Sequence, residues 1–118
     1  MIGVATQGAF IPVGAYGRIA AIAVTDATET ELYDVPANTQ VDGSIYVCNR
    51  GSSSSTYSIA VTDGAGAAAD EDWIVSGEDI PANFHFPVDV TLNSGNYVRV
   101  KGAAGCTITF MLMGRLIT

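Results

Sequence analysis

A chain of 118 residues can bury one core but not two, which excludes a second ordinary domain. Hydrophobic residues make up 48% and charged residues only 14%, a balance that excludes a disordered tail. Twelve acidic residues against five basic ones give a net charge of -7, and Arg18, Arg50, Arg99, Lys101 and Arg115 are scattered, so no basic patch exists to displace counterions from nucleic acid.

Ten Ile, 12 Val and 11 Thr outnumber 4 Leu and 3 Met, and β-branched side chains suit a pleated surface, so the chain reads as all-β. Residues 1–18 hold Gly3, Gly8, Gly14 and Gly17 among apolar residues of no lasting period, which predicts an extended N-terminal arm ahead of a sandwich domain at 19–118. The apolar run at 19–24 fits a strand or a short helix by pattern, and its length and β-branched ends favour strand. A strand at 31–35 closes at Pro36-Ala37-Asn38. The next, at 43–49, turns Ser44, Tyr46 and Cys48 one way and Ile45, Val47 and Asn49 the other.

The polar stretch 49–55 predicts a hairpin turn into a strand where Tyr57, Ile59 and Val61 alternate with Ser58, Ala60 and Thr62. Residues 63–72 form a small, acidic loop, Trp73-Ile74-Val75 resumes a strand, and residues 76–79 predict another turn. Pro87 cannot donate to a ladder, so it belongs at an edge, a strand start or a bulge. Asn93-Ser94-Gly95-Asn96 predicts a hairpin-type turn, followed by a strand with Val98 and Val100 inward. In the last strand Cys106, Ile108, Phe110 and Leu112 share one face, and Thr107, Thr109, Met111 and Met113 the other, as in a strand covered on both sides. Eight or nine strands with frequent turns predict a single-domain antiparallel β-sandwich, with a jelly roll as the best fit. The Pro-Ala-Asn at 36–38 recurs at 81–83, either as equivalent corners of two Greek keys or, as the default, by chance.

No stretch of about 18 apolar residues occurs, and no basic segment precedes a long apolar one near the start, so neither a membrane span nor a secretory signal is expected. Cys48 and Cys106 are too few for a disulfide scaffold and lack metal-ligand spacing; both are expected as core thiols unless their strands adjoin and they pair. The one histidine, His85, lies between Phe84 and Phe86 and is expected to point outward from an inward aromatic pair. No phosphate-cradling GxxxxGK[ST], no dinucleotide-type GxGxxG and no GxSxG elbow occurs, so no enzyme, cofactor or metal is expected. Asp63, Asp70, Glu71 and Asp72 lack the alternating spacing of a calcium loop and are expected to be solvated. Tyr46, Tyr57, Trp73 and Tyr97 are the candidates for a sugar platform if the domain is a carbohydrate-binding module, and cross-strand packing partners otherwise.

Leu32-Tyr33-Asp34-Val35-Pro36-Ala37-Asn38-Thr39, then Gly43-Ser44-Ile45-Tyr46-Val47-Cys48-Asn49-Arg50, then the Ser/Thr-rich turn and Tyr57-Ser58-Ile59-Ala60-Val61, resemble small virion proteins of tailed bacteriophages. The likeness, a "LYxVPAxT" corner leading to a strand that ends in "VCNR", covers roughly residues 31–114. It implies a non-enzymatic head decoration (cement) protein, a homotrimer made in the bacterial cytoplasm, bound to the major capsid protein on the outer capsid surface, without nucleic-acid or membrane partners. A tail or tail-fibre component is the alternative. Ile2, Phe10, Ile11, Val13 and Tyr16 of the arm are the expected contacts with the shell, because an aperiodic apolar segment suits ordering on a partner; an N-terminal edge strand of the same sandwich is the equal alternative for this segment.

Overall fold

The computed structural model describes residues 16–118, so Ile2, Phe10, Ile11 and Val13 lie outside the described residues. Eight strands follow one another: β1 (Gly17–Val24), β2 (Thr30–Asp34), β3 (Gln40–Asn49), β4 (Ser55–Thr62), β5 (Trp73–Ile80), β6 (His85–Leu92), β7 (Tyr97–Lys101) and β8 (Ile108–Ile117). They form two antiparallel four-stranded sheets, one ordered β1-β8-β3-β6 (sheet A) and the other β2-β7-β4-β5 (sheet B). The chain is an all-β, single-domain antiparallel sandwich with jelly-roll order.

The pairs β1·β8, β2·β7, β3·β6 and β4·β5 are those of one long hairpin rolled up on itself, and β3·β8 and β4·β7 close the roll. Even the corners pair. The amide of Gly102 donates to Asp26 O at 3.1 Å, Val35 N to Asn96 O at 3.0 Å and Asn49 N to Phe84 O at 2.9 Å. Each alternating strand turns its apolar face inward. Ile45, Val47, Phe110 and Leu112 of sheet A meet Tyr57, Ile59, Val98 and Val100 of sheet B, all nearly or fully buried. Each such side chain contributes ~1.5–3 kcal/mol by leaving water. The Tyr57 ring meets Phe86 edge-on at 5.4 Å.

Two expected hairpins are instead crossings between the sheets. β3 and β4 lie in opposite sheets, as do β6 and β7. Alternation marks which face is inward but not which sheet owns it, because the inner faces of a sandwich look at one another about 10 Å apart. At the first crossing the buried Asn49 amide donates to the carbonyls of Ser53 (2.9 Å), Ile80 (3.2 Å) and Pro81 (3.2 Å), and its oxygen accepts from Gly51 N.

The turn expected at 76–79 is a bulge inside β5. Gly77 takes a left-handed φ of 64°, its amide donates to the Ser58 hydroxyl, and the β4·β5 register slips nearby. The repeated Pro-Ala-Asn does mark equivalent corners: both join a sheet B strand to a sheet A strand, and Asn38 and Asn83 sit at φ 57° and 54°. Asn tolerates that left-handed conformation better than most residues. Pro87 lies on β6, an edge strand of sheet A.

Candidate functional site

The two outer faces of the sandwich differ. On sheet B the outward side chains of β4 are covered, with Ser58, Ala60 and Thr62 all buried. The 3-10 turn Asp70–Asp72 packs against β4. Glu29 holds the 63–72 loop down, its carboxylate accepting from Ala68 N at 2.9 Å and from Arg99 Nε on β7. Burial alone would push the Glu29 carboxyl up, but the Arg99 and Ala68 hydrogen bonds and the Arg99 and Lys101 charges bring it below its ordinary value. Lys101 Nζ sits 4.8 Å from the centre of the Trp73 ring.

On sheet A no described loop covers the outer face. Gly17, Gly114 and Gly43 lie side by side in register on β1, β8 and β3, with Gly43 and Gly114 at the inward parity of Ile45 and Leu112, while Ser44, Tyr46 and Met113 point outward. The Gly43–Gly114 pair is obligatory: a Cβ on Gly43 would collide with the Met113 carbonyl, and one on Gly114 with the Asp42 carbonyl. An open trough of about 380 Å³ lies over this row towards β6, bordered by Tyr16, Asp42, Ser44 and Asp89. A second, of about 240 Å³, lies towards Tyr46 and Met113. Tyr16, Tyr46 and Met113 are 68%, 40% and 37% exposed, so an apolar rim faces solvent here.

Arg115 organises the trough. Its guanidinium lies 5.5 Å from the centre of the Tyr16 ring and 3.7 Å from the Asp42 carboxylate. Its Nε is buried and meets no acceptor among the described residues. Ser44 donates to Asp89 at 2.7 Å across the β3·β6 pair.

Of the residues expected to meet a partner, Tyr16 alone is described, and it lines both parts of the trough. The four candidate platform aromatics are dispersed: Tyr57 is in the core, with burial and then the nearby Glu78 charge pushing its phenol up, Tyr46 is on sheet A, and Trp73 and Tyr97 are on sheet B. Cys48 points outward from β3 and Cys106 is buried near Val24 O at 3.3 Å, so both thiols are free and only Cys106 is a core residue. His85 does point outward, but of its neighbours only Phe86 packs against the core, while Phe84 is 49% exposed at the corner. In the acidic loop Asp63 accepts from Asn96 and Asp72 from Ala69 N. Among the described residues no three His, Cys, Asp or Glu side chains gather as metal ligands.

Sequence reasoning missed Tyr46, Met113 and Arg115 as one surface. The outward parity of Tyr46 and Met113 was visible, but reading β8 as covered on both sides hid it; Met113 is exposed. Compared with known proteins, the chain matches no family model and no curated sequence.

Proposed function

We propose that this chain is a non-enzymatic phage virion protein of the head decoration type, seated on neighbouring major capsid subunits at the outer surface of the mature head. The observation that carries the reading is the trough on sheet A that the described residues leave uncovered, polar towards Asp42 and Asp89 and apolar towards Tyr46 and Met113, with Tyr16 at its rim where the N-terminal segment joins the sandwich. A jelly roll whose described residues cover one outer face and leave the other uncovered suits a protein whose work is to bury surface. The resemblance of residues 31–114 to small phage virion proteins supports the same reading.

The mechanism is linkage. A protein that binds only the assembled lattice stabilises it by mass action, and symmetric copies multiply the effect without any reacting group. Apolar contact from Tyr16, Tyr46 and Met113, together with Ile2, Phe10, Ile11 and Val13 of the N-terminal segment, supplies the attraction. The acidic balance keeps the remaining surface soluble. Three copies act together as a homotrimer, and light scattering at micromolar concentration is expected to give that mass.

The test is to mix purified protein with expanded heads of the cognate phage assembled without it, then follow sedimentation and negative-stain images. Saturable, symmetric binding that raises resistance to heat is the expected result. Binding to tails and not to heads would overturn the decoration reading and make the chain a tail component.

A further inference from the structure

We propose that the outer face of sheet A meets a partner surface of opposite polarity, with a basic side chain seated over Asp89 on β6, an acidic one over Arg18 on β1 and apolar contact between them. The inference rests on the decoration reading, which makes the partner a segment of the major capsid protein, and adds to it the charge pattern and the orientation of the contact. It starts from where the charges sit. β1 and β8 carry Arg18 and Arg115 and no Asp or Glu, whereas β3 and β6 carry Asp42 and Asp89 and no Lys or Arg. In a chain with 12 acidic residues and five basic ones, half of this sheet has no acid and holds two of the five bases.

The register fixes the spacing. Arg18 pairs with Met113, Met113 with Ser44 and Ser44 with Asp89, so these four make one row across the sheet. Leu112 and Ile45, the chain neighbours of Met113 and Ser44, are buried, which turns the row outward. Three inter-strand gaps of ~4.8 Å put its charged ends about 14 Å apart. That exceeds the ~8 Å Debye length at physiological ionic strength, so Arg18 and Asp89 do not neutralise each other, and each acts on what lies opposite it. In the next outward row Arg115 and Asp42 are direct partners, 3.7 Å apart, and balance locally. Neither Arg18 nor Asp89 has an ion pair among the described residues.

The shape suits the same contact. Between the charged ends lie Met113 and, one row over, Tyr46, both exposed. Beside Asp89 the trough of about 380 Å³ gives an incoming basic side chain room. The Ser44 hydroxyl donates to Asp89 Oδ1 at 2.7 Å, which orients the carboxylate, and the other oxygen meets no donor among the described residues. In such an interface the apolar centre supplies affinity, while the flanking charges set orientation and speed the encounter. A partner turned end for end would bring like charges together, which is costly.

The test compares Arg18→Glu, Asp89→Lys and the double swap with the unsubstituted full-length protein for binding to expanded heads at ~0.15 M salt. The double swap keeps the net charge at -7, so total charge cannot explain its behaviour. Each single swap is expected to weaken binding roughly fivefold and the double swap more than about tenfold, with the gap closing near ~1 M salt, where the Debye length is about 3 Å. Melting temperatures should not change, because both side chains are exposed. Should a swap lower one, Arg18→Gln with Asp89→Asn, also at -7, gives the same reading: weaker binding supports the proposal and equal binding overturns it. Weak single swaps with a restored double swap would mean that Arg18 of one copy meets Asp89 of another, and would overturn the proposal in favour of contact between copies. Swaps that bind as well as the unsubstituted protein would overturn the inference and leave the decoration reading standing. An unsubstituted protein that binds no heads would overturn both.

Discussion

Sheet A and sheet B are built from equal numbers of strands around one core, yet only sheet B has its outer face covered by described residues. There a loop of small and acidic residues is tied down through Glu29, Arg99 and Ala68 N, and even Ser58 and Thr62 become buried. On sheet A no described loop does this, and Tyr16, Tyr46 and Met113 face solvent. The difference teaches that the alternation of a half-buried strand records the inner core only. What an outer face does depends on side chains that no core demands.

The largest expected effect on sheet A is at the Gly43–Gly114 pair. Gly114→Val drives a branched side chain into the β3 backbone at Asp42, and a loss of about 3 kcal/mol or outright unfolding is expected in urea denaturation. Asn49→Ala strikes both sheets at once, since it removes the amide that ties Ser53, Ile80 and Pro81 together, and should cost ~2 kcal/mol. Arg99→Ala should act on sheet B alone. It leaves the part-buried Glu29 carboxylate with only its Ala68 N bond, costs about 1 kcal/mol and exposes residues 63–72 to protease.

The same tether has a pH signature. Because the folded Glu29 carboxyl titrates below its ordinary 4.5, its stabilising contribution is full above that value and is lost as pH falls through the depressed folded value. Protease cleavage of the loop should therefore rise below about pH 4.5, where Glu29→Gln should show no such step. The smallest effect on stability is expected for Met113→Asp, within about 0.5 kcal/mol by thermal melting, because this side chain is already exposed.

Much of the core was legible because β-branched residues at alternate positions have few uses besides a pleated, half-buried surface. Ile45, Val47, Val98 and Val100 are all inward as the pattern requires. Sheet membership was not legible, since a crossing at 50–54 and a hairpin turn use the same polar residues. The key to that crossing is Asn49, whose parity was visible but whose bonds to Ile80 and Pro81 span 31 and 32 positions. Several residues of the phage-like pattern, Leu32, Val35, Thr39 and Asn49, are buried at or near corners. They build the roll rather than the exposed face. The trough was the least legible part, because Tyr16, Asp42, Ser44 and Asp89, far apart in sequence, border it together.

The most direct measurement of the central claim is the occupancy of unoccupied phage heads by three forms of the protein: unsubstituted, Tyr46→Ser with Met113→Asp on sheet A, and Ile74→Asp on sheet B. Tight saturable binding of the first and third, with at least a tenfold weaker second, is the result this account predicts. Equal binding of all three forms, or loss confined to Ile74→Asp, would contradict it.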